Sequence, residues 1–160
     1  MSRLDSFIRR LTAQRDILNH ICDRLELPAD GPVMEIGLGN GRTFDHMRER
    51  FAGRRIVAFD RTMGAHASSV PDAADLVLGE ICETGGAFRT GTAALVHADI
   101  GTGYPEKDEV TLTWLPQMVS GMLAKGGIAA SGLPLDEPTL QPMEVPDSVP
   151  KDRYFLYRKV

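Results

Sequence analysis

The apolar residues Leu4, Phe7, Ile8, Leu11, Leu18, Ile21, Cys22 and Leu25 recur at intervals of three, four and seven, which draws one stripe down an N-terminal helix within residues 1–30. Pro28 and Gly31 stop it. The period then changes. Val33-Met34-Glu35-Ile36 is a short apolar run, followed by Gly37-Leu38-Gly39-Asn40-Gly41 and by a segment with apolar positions Phe44, Met47 and Phe51, which reads as strand, glycine turn and helix. Residues 55–59 form a second β-branched and aromatic run ending in Asp60, residues 75–78 a third before Gly79-Glu80, and residues 92–99 a fourth before Gly101-Thr102-Gly103. Leu115, Met118, Val119, Met122 and Leu123 return to helical spacing, and Lys125-Gly126-Gly127 closes that helix. Pro116 marks either a kink or the first turn of a new helix, with residues 106–114 as a separate or bent portion. Residues 128–131 give a fifth strand and residues 153–159 a last one of alternating character. Short apolar strands alternating with helices predict an α/β chain with a parallel sheet covered on both faces.

Prolines at 134, 138, 142, 146 and 150 exclude a helix between residues 134 and 150, since each removes a donor and fixes φ. That proline-rich arm is either an extended surface connection or a cover over a ligand mouth or a partner subunit.

At 160 residues the chain is expected to form a single domain, 1–160, and 42% hydrophobic against 25% charged residues exclude wholesale disorder. A net charge of −4 without a long Lys or Arg run makes nucleic acid an unexpected partner. No window approaches the roughly 20 apolar residues of a membrane span, and the N-terminus has no secretory pattern, so no membrane partner and a soluble, cytoplasmic protein are expected. Cys22 and Cys82 have neither disulfide-framework nor zinc spacing and are expected to be small buried hydrophobes, with no metal bound.

An open parallel sheet binds ligands at the carboxyl ends of its strands, where the strand order reverses. The chemically able residues fall there: Glu35 and the glycines after strand one, Asp60 at the end of strand two, Glu80 after strand three, His97 and Asp99 at the end of strand four. Glycines at 37, 39 and 41 permit a tight turn and close approach of a ligand to the backbone. The dinucleotide fingerprint needs its third glycine where this chain has Arg42, and no Gly-Lys-Ser/Thr occurs, so pyrophosphate binding is disfavoured. Asp60 lies nineteen residues beyond Gly41, placed to accept hydrogen bonds from ribose hydroxyls.

Residues 35–41 (Glu-Ile-Gly-Leu-Gly-Asn-Gly) resemble the acidic-x-Gly-x-Gly-x-Gly motif of class I S-adenosylmethionine-dependent methyltransferases. Asp60 stands where that family has its ribose-binding acid, Gly79-Glu80-Ile81 is similar to its adenine segment, and Leu123-Ala124-Lys125-Gly126-Gly127 resembles its turn before strand five. The resemblance implies a Rossmann-like three-layer sandwich with a mostly parallel sheet of six or seven strands, the last antiparallel. Residues 141–145 are the one candidate for strand six. It also implies S-adenosyl-L-methionine as cofactor, held by Glu35, Gly37, Leu38, Gly39, Asn40, Gly41, Asp60, Arg61, Glu80 and Ile81. Glu35 would meet the tail ammonium directly or through water, or else cap its own turn.

Methyl transfer is an in-line displacement that gains much from alignment and needs a base only if the acceptor is protonated. Asp99 and His97, two apart on one strand face, are the catalytic candidates, although His97 is equally readable as a hydrogen-bonded core residue. No Asn/Asp-Pro-Pro-Tyr/Phe follows strand four, which disfavours amino methylation of nucleic-acid bases. The leading expectation is a methyltransferase acting on a small-molecule acceptor, with a second copy of the chain left open as a partner. The alternatives are a non-catalytic cofactor-binding subunit and a nicotinamide-dependent oxidoreductase; Arg42 and Glu35 oppose the latter, and Tyr104 and Lys107 are three apart rather than the four a short-chain dehydrogenase requires.

Overall fold

In the computed structural model, which describes residues 1–160, helix α1 (Arg3–Arg24) starts with a reciprocal cap: the Ser2 hydroxyl accepts from the Asp5 N–H and the Asp5 carboxylate accepts from the Ser2 N–H. Ala13, Ile17, Leu18 and Ile21 are the buried part of its stripe. Leu4, Phe7 and Ile8, expected to pack with them, are 66%, 44% and 53% exposed, so the first turns stand clear of the core.

The strands are β1 (Val33–Ile36), β2 (Ile56–Asp60), β3 (Leu76–Leu78), β4 (Ala93–Ala98), β5 (Leu123–Ser131), β6 (Leu140–Met143) and β7 (Phe155–Lys159). They form one sheet in the order β3-β2-β1-β4-β5-β7-β6, in which β7 alone runs opposite to the other six strands. Helices α1 and α2 (Arg42–Arg50) cover one face through Ile17, Leu18, Ile21, Phe44 and Met47. Helix α5 (Leu115–Met122) covers the other through Leu115, Met118, Val119 and Met122. Burial on both faces is why the central strands are apolar throughout, and it gives the expected three layers. The order reverses between β1 and β4, which opens a crevice above their carboxyl ends.

Pro116 lies in the first turn of α5 rather than kinking a longer helix, and α3 (Ile81–Thr84) and α4 (Pro105–Leu112) are separate short helices. The expected helix end at residues 125–127 is already strand. Leu123 suits either a helical stripe or a buried strand, and pairing with Ala93 decides for the strand. A register shift follows that pair, with Gly126 at φ +84° inside it. The proline-rich arm contributes β6, which tolerates Pro142 because it is an edge strand. Cys82 is exposed and Cys22 half-buried, with its Sγ on the Arg50 carbonyl, so neither is the fully buried hydrophobe expected. His46 joins α2 to α1 through Asn19 (2.7 Å).

Candidate active site

Three alternating left-handed glycines shape the loop at the crevice: Gly37, Gly39 and Gly41 have φ of +92°, +54° and +88°. The N–H groups of Gly37 and Leu38 donate to the Phe59 carbonyl at 2.9 and 3.0 Å, which fixes the loop against the end of β2. Gly41 caps α2 without a side chain, and a Cβ there would lie 2.7 Å from Ser69 Cβ and 2.8 Å from its carbonyl oxygen. The loop is therefore glycine both by conformation and by space.

The Asp60 carboxylate accepts from the Gly39 N–H and the Arg61 N–H, both at 2.7 Å, so the acid of β2 is oriented by the loop it faces. Arg61 Nε reaches both oxygens of Glu80 (3.0 and 3.2 Å) in an exposed ion pair along the same rim, and Ile81 beside it is buried. Asn40 is exposed at the tip of the loop and Leu38 buried beneath it.

Under this rim lies a buried polar chain. Glu35 and His97 face each other across β1 and β4 and are both 0% exposed. His97 Nδ1 donates to Glu35 Oε1 at 2.6 Å, and Thr43 Oγ1 donates to Glu35 Oε2 at 2.7 Å. His97 Nε2 has no partner, and its ring stacks on Tyr154 at 6.1 Å. Burial works to lower the His97 pKa, but the charge and hydrogen bond of Glu35, aided by Asp99, prevail and raise it.

Asp99, one step nearer the crevice, accepts from the Tyr154 hydroxyl at 2.7 Å and from Gln14 of α1. Burial works to raise its carboxyl, yet Tyr154, His97, Gln14 and Arg153 together hold it below the usual carboxylate value. The Tyr154 hydroxyl is pushed well above its ordinary pKa by burial and by Asp99. Gly132 leaves room for the arrangement, since a Cβ there would meet Asp99 Oδ1 at 2.8 Å.

The structure thus brings Gly37, Leu38, Gly39, Asn40, Gly41 and Asp99 around one cleft of about 130 Å³, with Arg10, Leu11, Gln14, Arg42 and Thr43 completing its lining. Glu35 and His97 sit behind it, while Asp60, Arg61, Glu80 and Ile81 continue the rim away from it. A larger cavity, about 480 Å³, lies along β6 and β7 with Tyr154 in its wall. Sequence reasoning missed Gln14, Thr43 and Tyr154. Thr43 follows the glycine motif by two residues, but Gln14 and Tyr154 reach Asp99 only through tertiary folding.

Carboxylates and main-chain N–H groups at the β2 and β3 end, with the guanidinium groups of Arg10 and Arg42 at the β1 end, suit a nucleoside carrying an amino-acid tail. A family model for S-adenosyl-L-methionine methyltransferases matches residues 1–159. The S-adenosyl-L-methionine methyl transferase of Silicibacter pomeroyi DSS-3 is 37% identical with a TM-score of 0.89, covering 99% of both chains. TrmN from Thermus thermophilus (14% identity, TM-score 0.65, 96% of this chain and 52% of that one) shares the fold. So does the 16S rRNA (adenine(1408)-N(1))-methyltransferase of Catenulisporales acidiphilia (14%, 0.56, 91% of each chain). No curated protein matches. A crevice at the β1/β4 reversal, glycines where a ligand must approach closely, and a match over essentially the whole chain agree: this protein belongs to the S-adenosyl-L-methionine methyltransferase family.

Proposed function

We propose that this methyltransferase acts on a small-molecule acceptor that reaches the cofactor beside Asp99. The observation that carries this reading is that Asp99 lines the same cleft as the glycine loop, at the end of β4. The seven-stranded sheet and its helices account for most of the described residues. No helix is long and apolar enough to cross a membrane, and the two free cysteines suit a reducing, cytoplasmic setting.

In this reading Asp60 accepts from the ribose hydroxyls while its neighbours Gly39 and Arg61 hold it in place. Glu80 and Ile81 border the adenine, and residues 37–41 lie under the tail. Glu35 is 0% exposed behind the cleft and holds Thr43 and His97, so it acts as a positioning residue through Thr43, or through water, rather than by direct contact. When bound, S-adenosyl-L-methionine supplies a methyl group activated by its sulfonium charge. Asp99, ionised at neutral pH, accepts a hydrogen bond from the acceptor N–H or O–H and aligns it. His97 does not reach the cleft; it holds Glu35 and, when protonated, helps keep the Asp99 carboxyl low.

The test is release of S-adenosylhomocysteine with a panel of small carboxylated, phosphorylated and amine acceptors, run beside transfer RNA and ribosomal RNA fragments. Turnover with a small molecule, lost at least tenfold in Asp99→Asn at unchanged cofactor affinity, supports the reading. Turnover with RNA alone refutes its acceptor class.

A further inference from the structure

A third cavity, about 390 Å³, opens beside the cofactor cleft between the start of α1 and the end of the proline-rich arm. Three arginines line it, Arg9, Arg10 and Arg153, against a single carboxylate, Asp152, with the Ser6 hydroxyl also in the wall. None of the three arginines forms an ion pair within the chain. Arg9 has only the Met1 sulfur at 3.3 Å, and Arg153 Nε is buried without any acceptor. A chain of net charge −4 thus keeps three guanidinium groups, none of them in an ion pair, around one concavity. Leaving a buried donor unmade is unfavourable, and an anionic oxygen would relieve it.

Two contacts link this cavity to the reaction centre. Arg10 lines both cavities, held over the Phe7 ring at 5.7 Å. The Arg153 guanidinium lies 5.6 Å from the centroid of the Tyr154 ring, and the Tyr154 hydroxyl donates to Asp99. An anion seated on Arg9 and Arg153 is therefore one aromatic ring away from the carboxylate beside the cofactor. The planar, forked guanidinium groups match carboxylate or phosphate oxygens.

We propose that this cavity is the acceptor subsite and that it binds a small acceptor through a carboxylate or phosphate group, on Arg9 and Arg153, with Arg10 between acceptor and cofactor. The inference rests on the proposed acceptor site beside Asp99. It separates the acceptor's anion from the cofactor's own carboxylate, for which the cleft offers Arg10 and Arg42.

The test is a titration of the holoprotein, saturated with S-adenosylhomocysteine, with inorganic phosphate and separately with acetate, following arginine Nε–H signals by nitrogen-15 NMR. The expected result is a saturable shift at Arg153 and Arg9 with at least one of the two anions. Phosphate alone would mark a phosphorylated acceptor and acetate a carboxylated one. Arg153→Gln, and independently the more exposed Arg9→Gln, should weaken that binding tenfold or more and leave S-adenosylhomocysteine affinity within twofold. No saturable shift, or unchanged binding in both variants, would overturn the proposal. So would binding of an RNA oligonucleotide, steeply salt-dependent, without any response to the small anions. Failure of S-adenosylhomocysteine itself to bind the wild-type protein would instead strike the reading of the cofactor site.

Discussion

Replacing His97 by alanine removes one half of an ion pair that is 2.6 Å long and 0% exposed at both ends. Glu35 keeps the Thr43 hydroxyl but loses its charged partner. Removing one partner of a buried pair costs about 3–5 kcal/mol, because the remaining charge stays desolvated. For a chain of this size each kcal/mol moves the melting temperature by about 2–4 °C, so a fall of about 6–20 °C is expected. The pH dependence gives a second reading. His97 is raised above its unfolded value, so its contribution is complete below about pH 6.5 and fades as pH climbs through the folded-state value. The gap between wild type and His97→Ala should therefore be wider at pH 6 than at pH 9. Urea denaturation followed by circular dichroism at both pH values measures it. Adding Glu35→Gln to the variant should restore part of the loss by removing the stranded charge. A loss below about 1 kcal/mol, or a gap that ignores pH, would refute the buried ion pair.

Gly41→Ala forces a side chain into a φ of +88° and against Ser69; a loss of about 1–2 kcal/mol in stability and at least tenfold in cofactor affinity is expected, and calorimetry showing neither would contradict the loop geometry. Tyr154→Phe removes the Asp99 donor, at a cost of about 1.5–3 kcal/mol. Because the Asp99 carboxyl is depressed, its contribution is present above about pH 3.9 and lost as pH falls through the lower folded value; in Tyr154→Phe the acid-unfolding midpoint should move to higher pH, and an unmoved midpoint would argue against the contact. A thiol reagent should modify exposed Cys82 in the native protein and Cys22 only slowly, and equal rates would contradict their placement.

The fold was legible in the sequence where two signals agreed. Residues 33–41 combine an apolar run with glycines that no continuing strand or helix would favour, and β1 and its loop lie there. Where one pattern served two structures, the reading failed: Leu123 completes a helical stripe and also begins a buried strand, and only the partner Ala93 decides. The exposed start of α1 shows the same limit, because periodicity reports a face but not how far the body beneath it extends. Motif spacing brought the glycines, Asp60 and Asp99 to one edge of the sheet. It could not show that Glu35 and His97 are engaged with each other, nor that Gln14 and Tyr154, 85 and 55 residues from Asp99, would reach it.

The central claim is that Asp60 and the glycine loop hold the ribose of S-adenosyl-L-methionine. Isothermal titration of S-adenosylhomocysteine into wild type and Asp60→Ala tests it most directly. Loss of a charged acceptor for buried hydroxyls, about 2 kcal/mol, predicts binding weakened roughly 30-fold in the variant. Equal affinity for both proteins, or a wild type that binds NADH and ignores S-adenosylhomocysteine, would contradict the account.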